Sequence, residues 1–327
     1  MDMHNRIKAI EERILSGGEL SFDEALSLLE IKDKDQLERL FIAANRIREK
    51  FRGKRVDLCS ITNAKSGNCS QDCFYCAQSA HNKTEANVSP LASAEEMLEC
   101  ARAAFLNKAH RFCIVTSGCL VEEGELKEVC RAIRLIKKNF PSLRMDASLG
   151  RLTKDQALAL KESGLDRYNH NIETVEDFFG KICTTHTFQD RLQTLKILRE
   201  VGIEVCCGGI IGLGETNKQR IEFAFCLKSI DADCVPINFL NPVEGTPLQD
   251  NSIPSPSELL KIISIFRLVL PKKQIRICGG REKNLGELQS QIFFAGADAI
   301  ILGNYLTTKG NEPHQDLQMI SNSGLSI

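Results

Sequence analysis

The chain has 327 residues, 43% of them hydrophobic, and a formal net charge of −1 with no basic block, so it is large enough for two average domains or one large α/β barrel with a sizeable core. The charge balance excludes nucleic-acid binding by electrostatics, and no apolar run reaches the roughly 18 residues of a membrane span. The polar start MDMHNRIKAIEERI does not read as a signal peptide, so a cytoplasmic protein without a membrane partner is expected.

Taken in chain order, residues 1–50 read as two or three helices. SFDEALSLLEI begins with Ser21 in a capping position, and LERLFIAANRIREKF has helical apolar spacing. This segment is predicted to be an N-terminal helical extension. Short apolar strands then alternate with amphipathic helices. The predicted strands are 55–61, 111–116, 143–148, 166–171, 204–210, 233–238, 274–278 and 298–302. Ser93-x-x-Glu96 and Thr153-x-x-Gln156 read as capping boxes opening two of the intervening helices. About eight strands, nearly all separated by a helix, predict an α/β fold: a (β/α)8 TIM-type barrel over residues 51–310. A doubly wound open sheet is the alternative. The tail, 311–327, is polar from about Thr307 onward and is expected to be less ordered.

Fourteen cysteines stand out. In a chain expected to remain in a reducing compartment they point to metal or redox chemistry rather than to disulfides. The strongest motif is GNCSQDCFYCAQS, where Cys69, Cys73 and Cys76 form C-x3-C-x2-C just after the first strand. Three thiolates on one loop suit a soft metal centre such as zinc or an iron–sulfur cluster. A structural zinc site requires a fourth ligand, for which His81 is the only nearby candidate. Three ligands on a cubane leave one iron open for chemistry. This spacing resembles the signature of the radical S-adenosylmethionine (SAM) superfamily. The resemblance implies a [4Fe–4S] cluster whose open iron binds SAM, with Tyr75 beside the adenine.

Strand alternation predicts an unusual barrel interior. If the apolar set of each strand faces the helices, Asp57, Cys59, Cys113, Arg144, Asp146, Cys206, Asn238, Arg276 and Cys278 face inward, and Asn169 and Asn171 share a face. Barrel interiors are ordinarily filled with branched apolar residues. Thiols, amides and charges there require partners, which a second cluster and a polar ligand would supply. Cys100, Cys119, Cys130, Cys183, Cys207, Cys226 and Cys234 are read as ordinary small apolar residues.

The stretches GNCSQDCFYCAQS, DRYNHNIET, TTHTFQDRLQTL, CCGGIIGLGET, VPINFLNPVEGTPL and RICGGRE, in this order across roughly residues 50–310, resemble the biotin synthase family. The resemblance implies a (β/α)8 barrel, usually a homodimer, that converts dethiobiotin to biotin. SAM is the radical source, an auxiliary iron–sulfur cluster is the sulfur donor, and a flavodoxin or ferredoxin is the electron donor. It implies Cys69, Cys73 and Cys76 as ligands of the SAM cluster. Tyr75, Glu173, Arg191, Gly208, Gly209 and Ile210, within the turn 208–215, are implied to bind SAM. Asn169, Asn171 and Asn238 are placed near SAM and dethiobiotin, where amides suit a neutral ureido ring; their alternative role is to satisfy strand ends.

The sequence departs from the family pattern at two places. Glu173 stands where Asp is usual. The auxiliary cluster is commonly a [2Fe–2S] centre held by three cysteines and an arginine. Cys113, Cys206 and Arg276 match three of those positions, but the fourth is Asp146. Cys59 and Cys278 are predicted on the same inner face. The expected ligand set is therefore Cys59, Cys113, Cys206 and Cys278 around a four-iron cluster, with Arg276 beside it. The alternative retains two irons, with Asp146 or Arg276 as a weak ligand. Other barrel-type radical SAM enzymes, such as a mutase or a cofactor-maturation protein, and a non-enzymatic iron–sulfur carrier are the competing functions.

Overall fold

The computed structural model describes residues 2–327. Helices α1 (Met3–Leu15), α2 (Phe22–Leu29) and α3 (Lys34–Arg52) form the N-terminal extension. Ser21 caps α2 through a box with Glu24, as its sequence predicts. Beyond it the chain runs β1 (Asp57–Lys65), α4 (Ala94–Leu106), β2 (Arg111–Thr116), α5 (Glu123–Asn139), β3 (Arg144–Ser148), α6 (Lys154–Ser163), β4 (Arg167–Asn169), α7 (Glu176–Phe179) and α8 (Phe188–Val201). The second half comprises β5 (Glu204–Cys206), β6 (Gly209–Ile211), α9 (Asn217–Ile230), β7 (Cys234–Phe239), α10 (Pro256–Val269), β8 (Gln274–Ile277), α11 (Arg281–Leu285), α12 (Gln291–Phe294), β9 (Ala299–Ile301) and α13 (Pro313–Asn322). The boxes at Ser93 and Thr153 open α4 and α6 as expected.

All pairings between the strands are parallel, in the order β5-β4-β3-β2-β1-β9-β8-β7-β6, and β5 also pairs with β7 through Cys206 and Cys234. β5 and β6 are therefore two pieces of one barrel position, and the sheet closes as an eight-position (β/α)8 barrel. The open-sheet alternative is thereby excluded. The predicted continuous strand 204–210 breaks at Cys207 and Gly208. A Cβ on Gly208 would lie 1.9 Å from the carbonyl oxygen of Pro236 on the next strand. Strand and neighbour approach so closely there that the ladder is interrupted.

The extension is fastened to the barrel rather than hinged from it. α3 packs on α10, and α2 packs on α9 and α10. The Lys261 ammonium on α10 donates to the carbonyls of Leu29 and Ile31 at 2.7 and 2.8 Å. At the N-terminal end of the barrel, Asp298 accepts from Arg52 of α3, from buried Arg267 and from the Ile275 amide.

The tail differs from its expectation. Its polar appearance conceals a buried ion pair in which Arg281 donates to Asp316 of α13 at 2.9 and 3.0 Å, with both side chains fully buried. Beyond α13, Ser326 pairs with the backbone at Lys54 and Val56, at the start of β1. The last residues thus lie at the end of the barrel opposite the C-terminal strand ends and do not cover a site there.

Candidate active site

The cysteine loop follows β1 and is braced on three sides. The Cys69 amide donates to the Gln78 carbonyl at 3.0 Å and the Ala80 amide to Cys69 at 2.8 Å. The Asn82 side chain donates to the carbonyls of Cys73 and Cys76 at 3.1 and 2.9 Å. The Phe74 amide bonds the Ile182 carbonyl at 2.9 Å, and Asp72 accepts from Thr184 and Thr185. These hydrogen bonds fix the backbone that carries the three thiols.

Two communicating cavities open at the C-terminal ends of the strands, where barrel enzymes carry out their chemistry. One, of about 210 Å³, faces the loop and is lined by Cys69, Cys73 and Arg191. The other, of about 330 Å³, lies over the barrel axis and is lined by Cys113, Asn238, Cys278 and the 305–308 loop. Tyr75, Cys76, Asn169, Asn171 and Glu173 line both. Of the Gly-rich turn only Ile210 reaches a cavity. Glu215 is turned away and accepts from the Gly212 amide and Arg220. Gly208 and Gly209 act through the backbone. A Cβ on Gly209 would lie 2.2 Å from the Glu173 carbonyl oxygen, so glycine permits the contact that presents Glu173.

Glu173 itself is strained and buried. It adopts φ 65, a left-handed conformation uncommon outside glycine and characteristic of functional sites. Burial raises its pKa against the opposing pull of Arg191. Its one side-chain amide contact, from Asn171, is long at 3.5 Å. Beyond the Tyr75 hydroxyl and this long amide contact, the buried carboxylate keeps lone pairs for an incoming pair of hydroxyl donors. The three asparagines divide. Asn238 donates to the Gly209 carbonyl at 3.2 Å and accepts from the Gly279 amide at 3.0 Å; Asn171 accepts from the Gly208 amide at 3.2 Å. These two bond backbone at strand ends and also line the cavities. Asn169 has a buried Oδ1 with no partner, and it faces both cavities.

Beneath the cavity floor the interior is as polar as alternation predicts, except at Arg144, which is exposed at the start of β3 and bonds Glu204. Cys59, Cys113, Cys206 and Cys278 are all buried. Burial pushes the Cys59 thiol up to about 12 and raises those of Cys113 and Cys278. Cys234, read from sequence as an ordinary apolar residue, belongs with them. Its thiol hydrogen-bonds that of Cys206 across the β5–β7 pairing. The signal was available, because Cys234 shares strand parity with Asn238.

Arg276 runs through this cage, bonding Asp57 at 3.1 Å and leaving its buried Nε unpartnered. Asp146 is committed to Arg111 at 2.7 Å, both buried. Among the described residues these interior thiols form no group of three within 4.8 Å of one another. The orphaned Arg276 Nε and the five buried thiols fit an anionic iron–sulfur group, which would take the thiols as thiolates. The loop thiols, the unpartnered Asn169 oxygen and the undersupplied Glu173 fit a cluster with a polar nucleoside ligand.

Residues 64–227 match the Radical SAM superfamily, and residues 236–326 match the Biotin and Thiamin Synthesis associated domain. A biotin synthase of Geobacter sulfurreducens is 47% identical over 326 residues, covering 99% of this chain and 98% of its own. One of Citrifermentans bemidjiense is 49% identical over 323 residues, with the same coverage. Among solved structures, a methylornithine synthase superposes with TM-score 0.85 at 20% identity, covering 97% of this chain and 96% of its own. An FeFe-hydrogenase maturase from Carboxydothermus hydrogenoformans gives TM-score 0.81 at 19% identity, covering 98% and 79%. At such identities these two speak to the barrel alone.

Proposed function

The chain belongs to the biotin synthase family of the radical SAM superfamily, and from that premise we propose that it inserts sulfur between two carbons of dethiobiotin to close the thiophane ring of biotin. The observation that carries this reading is the interior thiol cage beneath the second cavity. A radical SAM mutase has no use for a sulfur donor, and a carrier has no use for a polar cavity above its thiols.

In this reading Cys69, Cys73 and Cys76 hold a [4Fe–4S] cluster that, with SAM bound, supplies a 5′-deoxyadenosyl radical. Tyr75 lies against the adenine, Glu173 accepts from the ribose hydroxyls, and Arg191 supplies positive charge nearby. Asn169 donates to and accepts from the ureido ring of dethiobiotin. Leu306 and Thr307 line the mouth of the 330 Å³ cavity and exclude water from the radical.

Cys59, Cys113, Cys206 and Cys278, with Cys234 as a fifth interior thiol, would hold an auxiliary cluster, which would supply the sulfur atom. Arg276 would have its unpartnered Nε to donate to such a group. The Arg111 ion pair disfavours Asp146 as a ligand. Four thiolates suit four irons, so anaerobic protein is expected to hold about eight irons per chain, as two four-iron clusters require; about six would return the reading to a two-iron donor. An electron donor such as flavodoxin or ferredoxin, a homodimer and a cytoplasmic location complete the proposal.

The direct test is anaerobic protein with SAM, reductant and dethiobiotin, followed by mass spectrometry of biotin and 5′-deoxyadenosine. Both products are expected. Deoxyadenosine without biotin, in protein loaded with both clusters, would retain the radical chemistry and overturn the substrate.

A further inference from the structure

Cys183 and His186 lie outside the ligand loop, yet both are buried against it. Cys183 Sγ is 3.8 Å from Cys73 Sγ and 3.2 Å from His186 Nδ1. The other ring nitrogen, Nε2, lies 3.0 Å from Arg191 Nε. Cys73, Cys183 and His186 thus offer ligand atoms within 4.8 Å of one another, close enough for one metal ion. The arginine argues against that use. A guanidinium Nε keeps its proton, so Nε2 must accept and the neutral ring carries its proton on Nδ1. Nδ1 then shares its one proton between Gln71 Oε1 at 2.8 Å and, as the longer branch, Cys183 Sγ at 3.2 Å and has no lone pair for a cation.

What remains is a chain of donors with one direction, from Arg191 to His186 to Cys183. As thiols, Cys73 donates to Cys183 and Cys183 donates to Asp72 Oδ1 at 3.2 Å; once Cys73 is a thiolate it can only accept, and the Cys183 proton then has two acceptors, Cys73 Sγ and Asp72 Oδ1. Asp72 already accepts from the amide and hydroxyl of both Thr184 and Thr185. An iron-bound Cys73 thiolate is the less supplied of the two.

We propose that Cys183, oriented by His186 and Arg191, donates a hydrogen bond to the Cys73 thiolate and links occupancy of the SAM site to the reduction potential of the cluster. The proposal rests on the reading of Cys73 as a cluster ligand. A hydrogen bond to a cluster sulfur favours the reduced, more negative form and raises the potential. Arg191 also donates to the Asn171 carbonyl at 3.2 Å at the cavity wall. A ligand that engages the guanidinium therefore alters what His186 and Cys183 can donate. Cys183 and His186 are positioning residues; neither touches the reacting atoms.

The experiment is an EPR-monitored redox titration of the anaerobically reconstituted full chain, with and without SAM. In Cys183→Ala the equilibrium constant for one-electron reduction is expected to fall about tenfold, which is about 59 mV. Cys183→Ser, which keeps a donor, should recover most of that loss, and His186→Ala should reduce the shift that SAM produces in the unaltered protein to the part that SAM makes through the open iron. Equal potentials in Cys183→Ala and the unaltered protein at equal cluster content would overturn the relay, as would equal losses in the Ala and Ser variants. Cys73→Ala separates the two levels. If it still assembles the SAM-responsive cluster, the ligand reading fails and the relay with it; if it does not, a flat Cys183→Ala result removes the relay alone.

Discussion

Residue identity at the site is set by what each side chain lacks. Glu173 is held in left-handed backbone, buried, with one long amide contact. Its pKa is raised by burial, so the ligand-free native state holds that proton more tightly than the unfolded chain does. The stabilisation this gives is full below the ordinary value of 4.5 and is lost as pH rises through the native value. Urea unfolding of ligand-free protein across about pH 5 to 8 should therefore show Glu173→Gln gaining stability relative to the unaltered protein as pH rises. In the same variant SAM affinity should fall at least about tenfold, near 1.4 kcal/mol, read by calorimetry on reconstituted protein. Unchanged affinity would remove Glu173 from the SAM site. Much at this scale was legible: alternation found Cys59, Cys113, Cys206, Arg276 and Cys278 inside the barrel. Cys183 and His186 were missed because they lie in an irregular loop, where no period says which way a side chain points.

Elements are shaped by contacts that sequence periodicity does not carry. After Glu204 the run VCCGGI carries no charge, and its break becomes intelligible only from the Pro236 carbonyl against Gly208 and the Glu173 backbone against Gly209. Gly209→Ala should cost about 1–3 kcal/mol or more of stability through that overlap, measured by chemical denaturation, and should weaken SAM binding by displacing Glu173. A variant as stable as the parent, with intact SAM binding, would show that the close approach is not required. The C-terminal helix makes the same point. Its polar sequence suggested looseness because Asp316 finds Arg281 35 residues away, beyond any local pattern. Asp316→Ala strands a buried guanidinium, and breaking such a pair costs about 3–5 kcal/mol. Thermal unfolding checks this, and a loss below about 1 kcal/mol would mean that Glu282 and Tyr305 suffice for Arg281.

The whole molecule is a barrel whose interior carries buried thiols and an arginine with an unpartnered Nε. The alternation of strands and helices made the (β/α)8 architecture readable in advance, and the thiols and charges on inward parity marked it as no ordinary packed barrel. The precise donor set was not readable, because five thiols and one arginine share that interior and strand parity does not rank them. Stripping both clusters with a chelator should leave the loop and extension folded, since their hydrogen bonds need no metal. It should nevertheless lower the thermal midpoint, because Arg276 and the thiols lose their partner. A midpoint unaffected by cluster removal would argue that the interior is satisfied without one. The central claim is that sulfur passes from this cage to substrate. It is tested most directly by reconstituting the protein with ³⁴S-sulfide, removing free sulfide, running a single turnover with SAM and dethiobiotin, and weighing the biotin by mass spectrometry. Biotin carrying ³⁴S, absent when Cys59 and Cys278 are both replaced by Ala although deoxyadenosine still forms, is the predicted result; unlabelled biotin from fully labelled protein would contradict it.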